Sequence, residues 1–102
     1  MLNLKENNYM YFVESNSCVI QFSAPWCGPC KAVSAILDSI SLDDKKIEIA
    51  KIDIADIPQS SSEFNIKAFP TTICFKDGKE VSRVIGSRSK NDFVDFINKS
   101  FL

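Results

Sequence analysis

Histidine is absent from this chain of 102 residues. That absence excludes every Ser–His or Cys–His catalytic pair and every metal site that needs an imidazole. An excess of basic charge is missing too. Twelve basic and 13 acidic residues leave a net charge of −1, so the phosphate-tracking surface of a nucleic-acid binder is not expected. No apolar run approaches the ~20 residues of a membrane span, so no membrane partner is expected. Met1 to Asn8 also lacks the apolar stretch of a secretory signal. The chain therefore reads as cytoplasmic, or as a mature form whose leader was removed. Internal repeats, linker-like segments and blocks of like charge are lacking as well. What remains is 45% hydrophobic, 25% charged and 11% aromatic, ordinary values for a globular protein. That suits a single domain over residues 1–102, with one core. Catalysis, if present, falls to cysteine, carboxylate or lysine.

The hydrophobic pattern predicts alternating elements. Tyr9, Phe12 and Val13 have helical spacing within about residues 7–16. Cys18 to Ala24 is a nearly continuous apolar run, as in a central strand covered on both faces. Val33, Ile36, Leu37 and Ile40 mark an amphipathic helix after Cys30, and Pro29 fits its first turn. Ile47 to Ile54 reads as a second strand, and Asp56 and Pro58 as the start of a weak helix reaching about Asn65. Thr71 to Phe75 is a third strand, Lys76-Asp77-Gly78-Lys79 a hairpin turn, and Val81 to Ile85 the returning strand. Ser89 and Asp92 resemble a capping box opening a last helix with Phe93, Phe96 and Ile97 on its apolar stripe. The order α-β-α-β-α-β-β-α predicts an α/β/α sandwich around a mixed sheet of about four strands.

Four cysteines in a small chain could form a disulfide scaffold, but only Cys27 and Cys30 lie close together. In a reducing compartment such an isolated pair is more often redox-active or metal-binding than structural. It falls where a buried strand hands over to a helix. Unpaired N–H groups and the helix dipole there favour an anion, which stabilises a Cys27 thiolate. Greater acidity alone gains only about three-fold in attack rate, because a less basic thiolate is a weaker nucleophile. The second thiol supplies the rest, since it attacks a mixed disulfide intramolecularly. Cys27, at the helix start, can meet a bulky disulfide. Cys30, one turn in, is shielded and is read as the resolving thiol. The rival reading is a zinc or iron–sulfur site, which would need Cys18 and Cys74 as further ligands. Both lie within strand-like runs, where buried packing is the plain expectation.

Trp26-Cys27-Gly28-Pro29-Cys30-Lys31 resembles the active-site signature of thioredoxins, and the likeness covers almost the whole chain. Ala50-Lys51-Ile52-Asp53 resembles the family's second core strand, Phe69-Pro70-Thr71 its cis-proline segment, and Phe75-Lys76-Asp77-Gly78 the hairpin that follows. Ile85-Gly86-Ser87 resembles the patch of small residues near the active site. The resemblance implies a thioredoxin fold and a protein-disulfide reductase cycling between a Cys27/Cys30 dithiol and disulfide, with Gly28 and Pro29 between them. It implies a cis Pro70 beside the disulfide, and an apolar docking surface of Trp26, Ile54, Ala68, Phe69, Ile85 and Gly86. Its partners would be disulfide-containing client proteins and a thioredoxin reductase, by analogy an NADPH-dependent flavoprotein. The chain itself would act as a monomer and need no cofactor, because the dithiol carries the two electrons.

Two positions depart from the family. Gln21 stands where thioredoxins usually bury an aspartate that moves a proton to or from the resolving cysteine; an amide cannot do so near neutral pH. Lys51, the usual neighbour of that aspartate, is kept. Ala35 replaces a proline that often kinks the second helix. These departures leave room for a thioredoxin-fold binding module, or for a specialised, glutaredoxin-like or isomerase-like redox protein with altered proton handling.

Overall fold

The computed structural model describes residues 1–102, the side chain of Asp44 excepted. In chain order the elements are β1 (Leu2–Asn3), α1 (Tyr9–Ser15), β2 (Cys18–Ser23), α2 (Gly28–Asp38), β3 (Glu48–Asp53), α3 (Ser60–Glu63), β4 (Thr71–Lys76), β5 (Lys79–Ile85) and α4 (Lys90–Ser100). A short 3₁₀ turn, Asp43–Lys45, precedes β3. The strands form one mixed sheet in the order β1-β3-β2-β4-β5. β1 and β2 both run parallel to β3, whereas the β2–β4 and β4–β5 pairs are antiparallel.

Alternation along the strands sends successive side chains to opposite faces, and each face carries its own core. Cys18, Ile20, Phe22, Ile52, Ile73 and Phe75 pack with Tyr9 and Val13 of α1 and with Ile57 and Ile66 around α3. Val19 and Cys74 pack on the other face with Val33 and Leu37 of α2 and with Phe93 and Ile97 of α4. The expected three-layer sandwich is therefore the observed one.

The sheet has five strands rather than about four. The added strand is β1, whose two exposed residues are too few for any periodicity to register; it pairs Leu2 with Ala50 and Asn3 with Lys51. The third helix is much shorter than the expected 56–65. The hydroxyls of Ser60, Ser61 and Ser62 each donate to the carbonyl three residues back, and such local bonds compete with helix propagation. Other boundaries move by one or two residues. α2 ends at Asp38, where the Ser39 N–H closes on Ala35 and Ile36 carbonyls. β5 begins at Lys79 because the hairpin is a two-residue turn, Asp77 and Gly78 both having positive φ of 52° and 82°, as a type I′ turn requires. Ser89 caps α4 as expected, its hydroxyl accepting the Asp92 N–H at 3.1 Å.

Candidate active site

The topology gathers the sequence-predicted residues at one end of the sheet. β2 and β3 are parallel, so the segments following them, Ala24–Cys27 and Ile54, emerge at the same edge. β4 runs the opposite way, so its start, Pro70-Thr71, and the end of β5, Ile85-Gly86, lie at that edge too. Ligand sites commonly form beyond the carboxyl ends of parallel strands for this reason.

Cys27 is the N-cap residue of α2, with extended backbone (φ −96°, ψ 103°). Its N–H donates to the Ala24 carbonyl at 3.2 Å, and its own carbonyl accepts the Cys30 N–H at 3.3 Å. Cys27 is half-buried, whereas Cys30, one turn into the helix, is only 3% exposed. The two are joined as a disulfide, with Cα atoms 5.5 Å apart. Gly28 and Pro29, in the first turn, are exposed.

An apolar rim lies at the same end of the sheet as the disulfide. Trp26 is 72% exposed and meets Phe69 edge-on, with ring centroids 6.3 Å apart. The Phe69–Pro70 peptide bond is cis. The Pro70 carbonyl accepts the Gly86 N–H at 2.8 Å, and Ile85, opposite Thr71 in register, is half exposed. The Ala68 carbonyl accepts the Thr71 hydroxyl at 2.7 Å. Ile54 is half-buried, its N–H bonded to the Ser23 carbonyl at 3.0 Å.

Behind the rim, under α2, the sheet turns polar. Gln21 is fully buried. Its Nε2 donates to the Cys30 carbonyl at 3.0 Å, and its Oε1 accepts the Ser34 hydroxyl at 2.7 Å. The amide thus fastens the first turn of α2 to β2. Lys51 is its register partner on β3 and Thr72 on β4, the Thr72 hydroxyl being buried without a hydrogen-bond partner among the described residues. A cleft of about 240 Å³ opens beside the disulfide, lined by Ser23, Cys27, Cys30, Lys31, Ser34, Lys51 and Asp53 among others. Ser34 and Asp53 escaped the sequence reading, although their signal was present. Ser34 follows Cys30 by four residues, hence on the same helix face. Asp53 follows Lys51 by two, hence on the same strand face. Ala35 sits within an unbroken α2.

The remaining cysteines are fully buried on opposite faces of the sheet. Burial pushes the Cys18 thiol up to about 12, with the neighbouring Cys74 and Glu48 adding to the effect. Burial pushes Cys74 up to about 11, against the opposing pull of the Ser100 and Ser82 hydroxyls. Neither is a thiolate near neutral pH, so nucleophilic chemistry concentrates at the other pair.

The thioredoxin family model matches residues 1–99. Thioredoxin of Chlamydia caviae is 37% identical over 92 residues, covering 90% of each chain. Thioredoxin of Rickettsia felis is 41% identical over 83 residues, 80% of this chain and 79% of that one. Thioredoxin of Staphylococcus haemolyticus is 31% identical over 100 residues, 97% of this chain and 96% of the other. Disulfide substrates and a thioredoxin reductase are the general kinds of partner that such membership implies. With the matched length, the fold and the Cys27–Cys30 disulfide taken together, the chain belongs to the thioredoxin family and is a thiol–disulfide oxidoreductase.

Proposed function

We propose that the protein reduces disulfides of client proteins, with Cys27 as nucleophile and Cys30 as resolving thiol. The observation carrying this assignment is the contrast between the half-buried Cys27 at the helix cap and the almost inaccessible Cys30 behind it. The Cys27 thiolate attacks one client sulfur, the client S–S bond breaks, and the other client sulfur leaves as a thiolate that takes up a proton. Cys30 then loses its proton and attacks Cys27 of the mixed disulfide. The Cys27–Cys30 bond forms and the second client thiol departs. Two electrons pass from the protein dithiol to the client, so no prosthetic group takes part. Gly28 and Pro29 hold the two sulfurs one helical turn apart.

Trp26, Phe69, Pro70, Ile85 and Gly86 form the surface on which an extended client segment docks, with Ile54 and Ala68 at its margins. The exposure of Trp26, in edge contact with Phe69, supports this reading, since contiguous exposed apolar surface marks an interaction site. Gln21 and Lys51 act from beneath as positioning residues. Reduction of the disulfide by an NADPH-dependent flavoprotein thioredoxin reductase completes the cycle. The chain works as one domain over residues 1–102, as a monomer and in the cytoplasm. Among the described residues, no helix is long and apolar enough to cross a membrane.

Insulin reduction coupled to thioredoxin reductase and NADPH tests the reading, with glutathione as the competing electron source. Turnover is expected with the first system, loss of turnover in Cys27→Ser, and a trapped Cys27 mixed disulfide in Cys30→Ser. Turnover with glutathione alone would reassign the protein as glutaredoxin-like. Full function in a Cys27→Ser/Cys30→Ser protein would leave docking as its task.

A further inference from the structure

Resolution of the mixed disulfide requires Cys30 to lose a proton in a nearly closed environment, and the side chain beneath it is an amide. Gln21 has no capacity to accept that proton. Its oxygen is already engaged by Ser34 and its nitrogen by the Cys30 carbonyl. The titratable and charged groups that face the cleft holding both sulfurs are Lys31 from α2 and Lys51 and Asp53 from β3; β2 contributes Ser23 and Gln21 lies behind it. Asp53 is the single carboxylate among these described residues. Its Oδ1 accepts the Ala55 N–H at 2.9 Å, fixing the side chain, while Oδ2 has no protein hydrogen bond among the described residues. The cleft of about 240 Å³ has Ala24 and Pro25 in its walls beside Ser23, Ser34 and the charged groups, and is roomy enough for water to bridge those polar groups.

We propose that Asp53, acting through water in this cleft, is the proton acceptor for Cys30, in the place left by the neutral Gln21. This rests on the resolving role assigned to Cys30. As Cys30 attacks the Cys27–client disulfide, its proton passes through water to the Asp53 carboxylate. The sulfur–sulfur bond to the client breaks, and the released client thiolate takes a proton from solvent or from the same carboxylic acid. Lys51 and Lys31 line the same cleft, and their positive charge favours the nascent Cys30 thiolate. Asp53 is therefore a proton-exchange residue on the existing reaction route.

The sign of the pH effect separates this role from simple electrostatics. Deleting a nearby negative charge would by itself make a thiol more acidic, so Asp53→Asn would speed resolution and move its pH profile downward. Loss of a proton acceptor does the opposite. The experiment is single-turnover reaction of the reduced protein with a disulfide peptide, following formation and decay of the mixed disulfide from pH 6 to 9.5. Asp53→Asn is expected to affect formation far less than decay, which slows at pH 7 by roughly a hundred-fold, with the deficit closing as pH rises and hydroxide takes over. Asp53→Asn/Gln21→Asp, which returns a carboxylate beneath α2, is expected to recover most of the decay rate. Asp56→Asn, whose exposed carboxylate pairs with Lys5 at 3.4 Å outside the cleft, is expected to behave as wild type. Decay in Asp53→Asn that is unchanged, faster, or slowed equally at every pH overturns the proposal. If instead Cys30→Ser fails to trap the mixed disulfide, the role of Cys30 itself is wrong.

Discussion

At the scale of single residues, the row Lys51–Gln21–Thr72 crosses the middle of the sheet under α2. Gln21 satisfies both ends of its amide there, but the Thr72 hydroxyl is fully buried and unpartnered among the described residues. An unpaired buried polar group costs its full desolvation, roughly 1–3 kcal/mol. Valine has the same shape without that cost. Thr72→Val is therefore expected to raise stability by about 1 kcal/mol, seen as a higher urea midpoint with an unchanged denaturant slope. A lower midpoint would mean that the hydroxyl has a partner in solution. The identity of Gln21 was legible in the sequence from its offset to the Cys27–Cys30 pair. Its hydrogen bonds were not, because side-chain bonding across elements leaves no periodic trace, although Ser34 shares the helix face of Cys30. Asp53 shows the reverse case. Strand parity alone places it beside Lys51, and only the course of α2 over the sheet makes that position matter.

Among the elements, the β4–β5 hairpin packs its turn directly against the main chain of α1. Gly78, at φ 82°, lies so close to α1 that a Cβ there would sit 2.6 Å from the Glu14 carbonyl oxygen. The Asp77 N–H also donates to the Ser17 hydroxyl at 3.2 Å, so the turn is fastened to the start of β2. Gly78→Ala combines a disfavoured backbone with a clash against main chain. It is expected to cost roughly 1–3 kcal/mol, measured by urea unfolding, while the Cys27–Cys30 end, at the other edge of the sheet, keeps its rate. The Asp-Gly pair announced the turn from sequence through its backbone chemistry. Its docking on Glu14 was invisible, since glycine carries no side chain to signal a neighbour. The long helices and central strands were readable because a half-buried helix repeats every 3.6 residues and a doubly covered strand is continuously apolar. β1 was not, being two residues long, and α3 was read too long, its three serines cutting the helix short.

For the molecule as a whole, the two spare thiols set an alkaline limit to stability. An ordinary thiol loses its proton near 9, whereas burial holds Cys18 to about 12 and Cys74 to about 11. Below about pH 9 both are protonated in the folded and unfolded chain, and their contribution to stability is fully present. As pH climbs from there, the unfolded chain gives up protons that the folded one keeps, so the unfolded state gains. Stability is expected to fall between about pH 9 and pH 12. Urea midpoints at pH 8 and pH 11 measure this fall, and a Cys18→Ala/Cys74→Ala protein is expected to show less of it. An equal fall in both proteins would place the alkaline limit elsewhere.

The same two thiols stand on opposite sides of a sheet one backbone thick. No rotamer change brings them together, and neither can reach the bridge at the sheet's end while the strands remain paired. Sulfur exchange inside the native chain is thereby confined to a single partner choice. An oxidising surge can close that bridge but cannot scramble it, and any mispaired isomer must first pass through the disassembled chain.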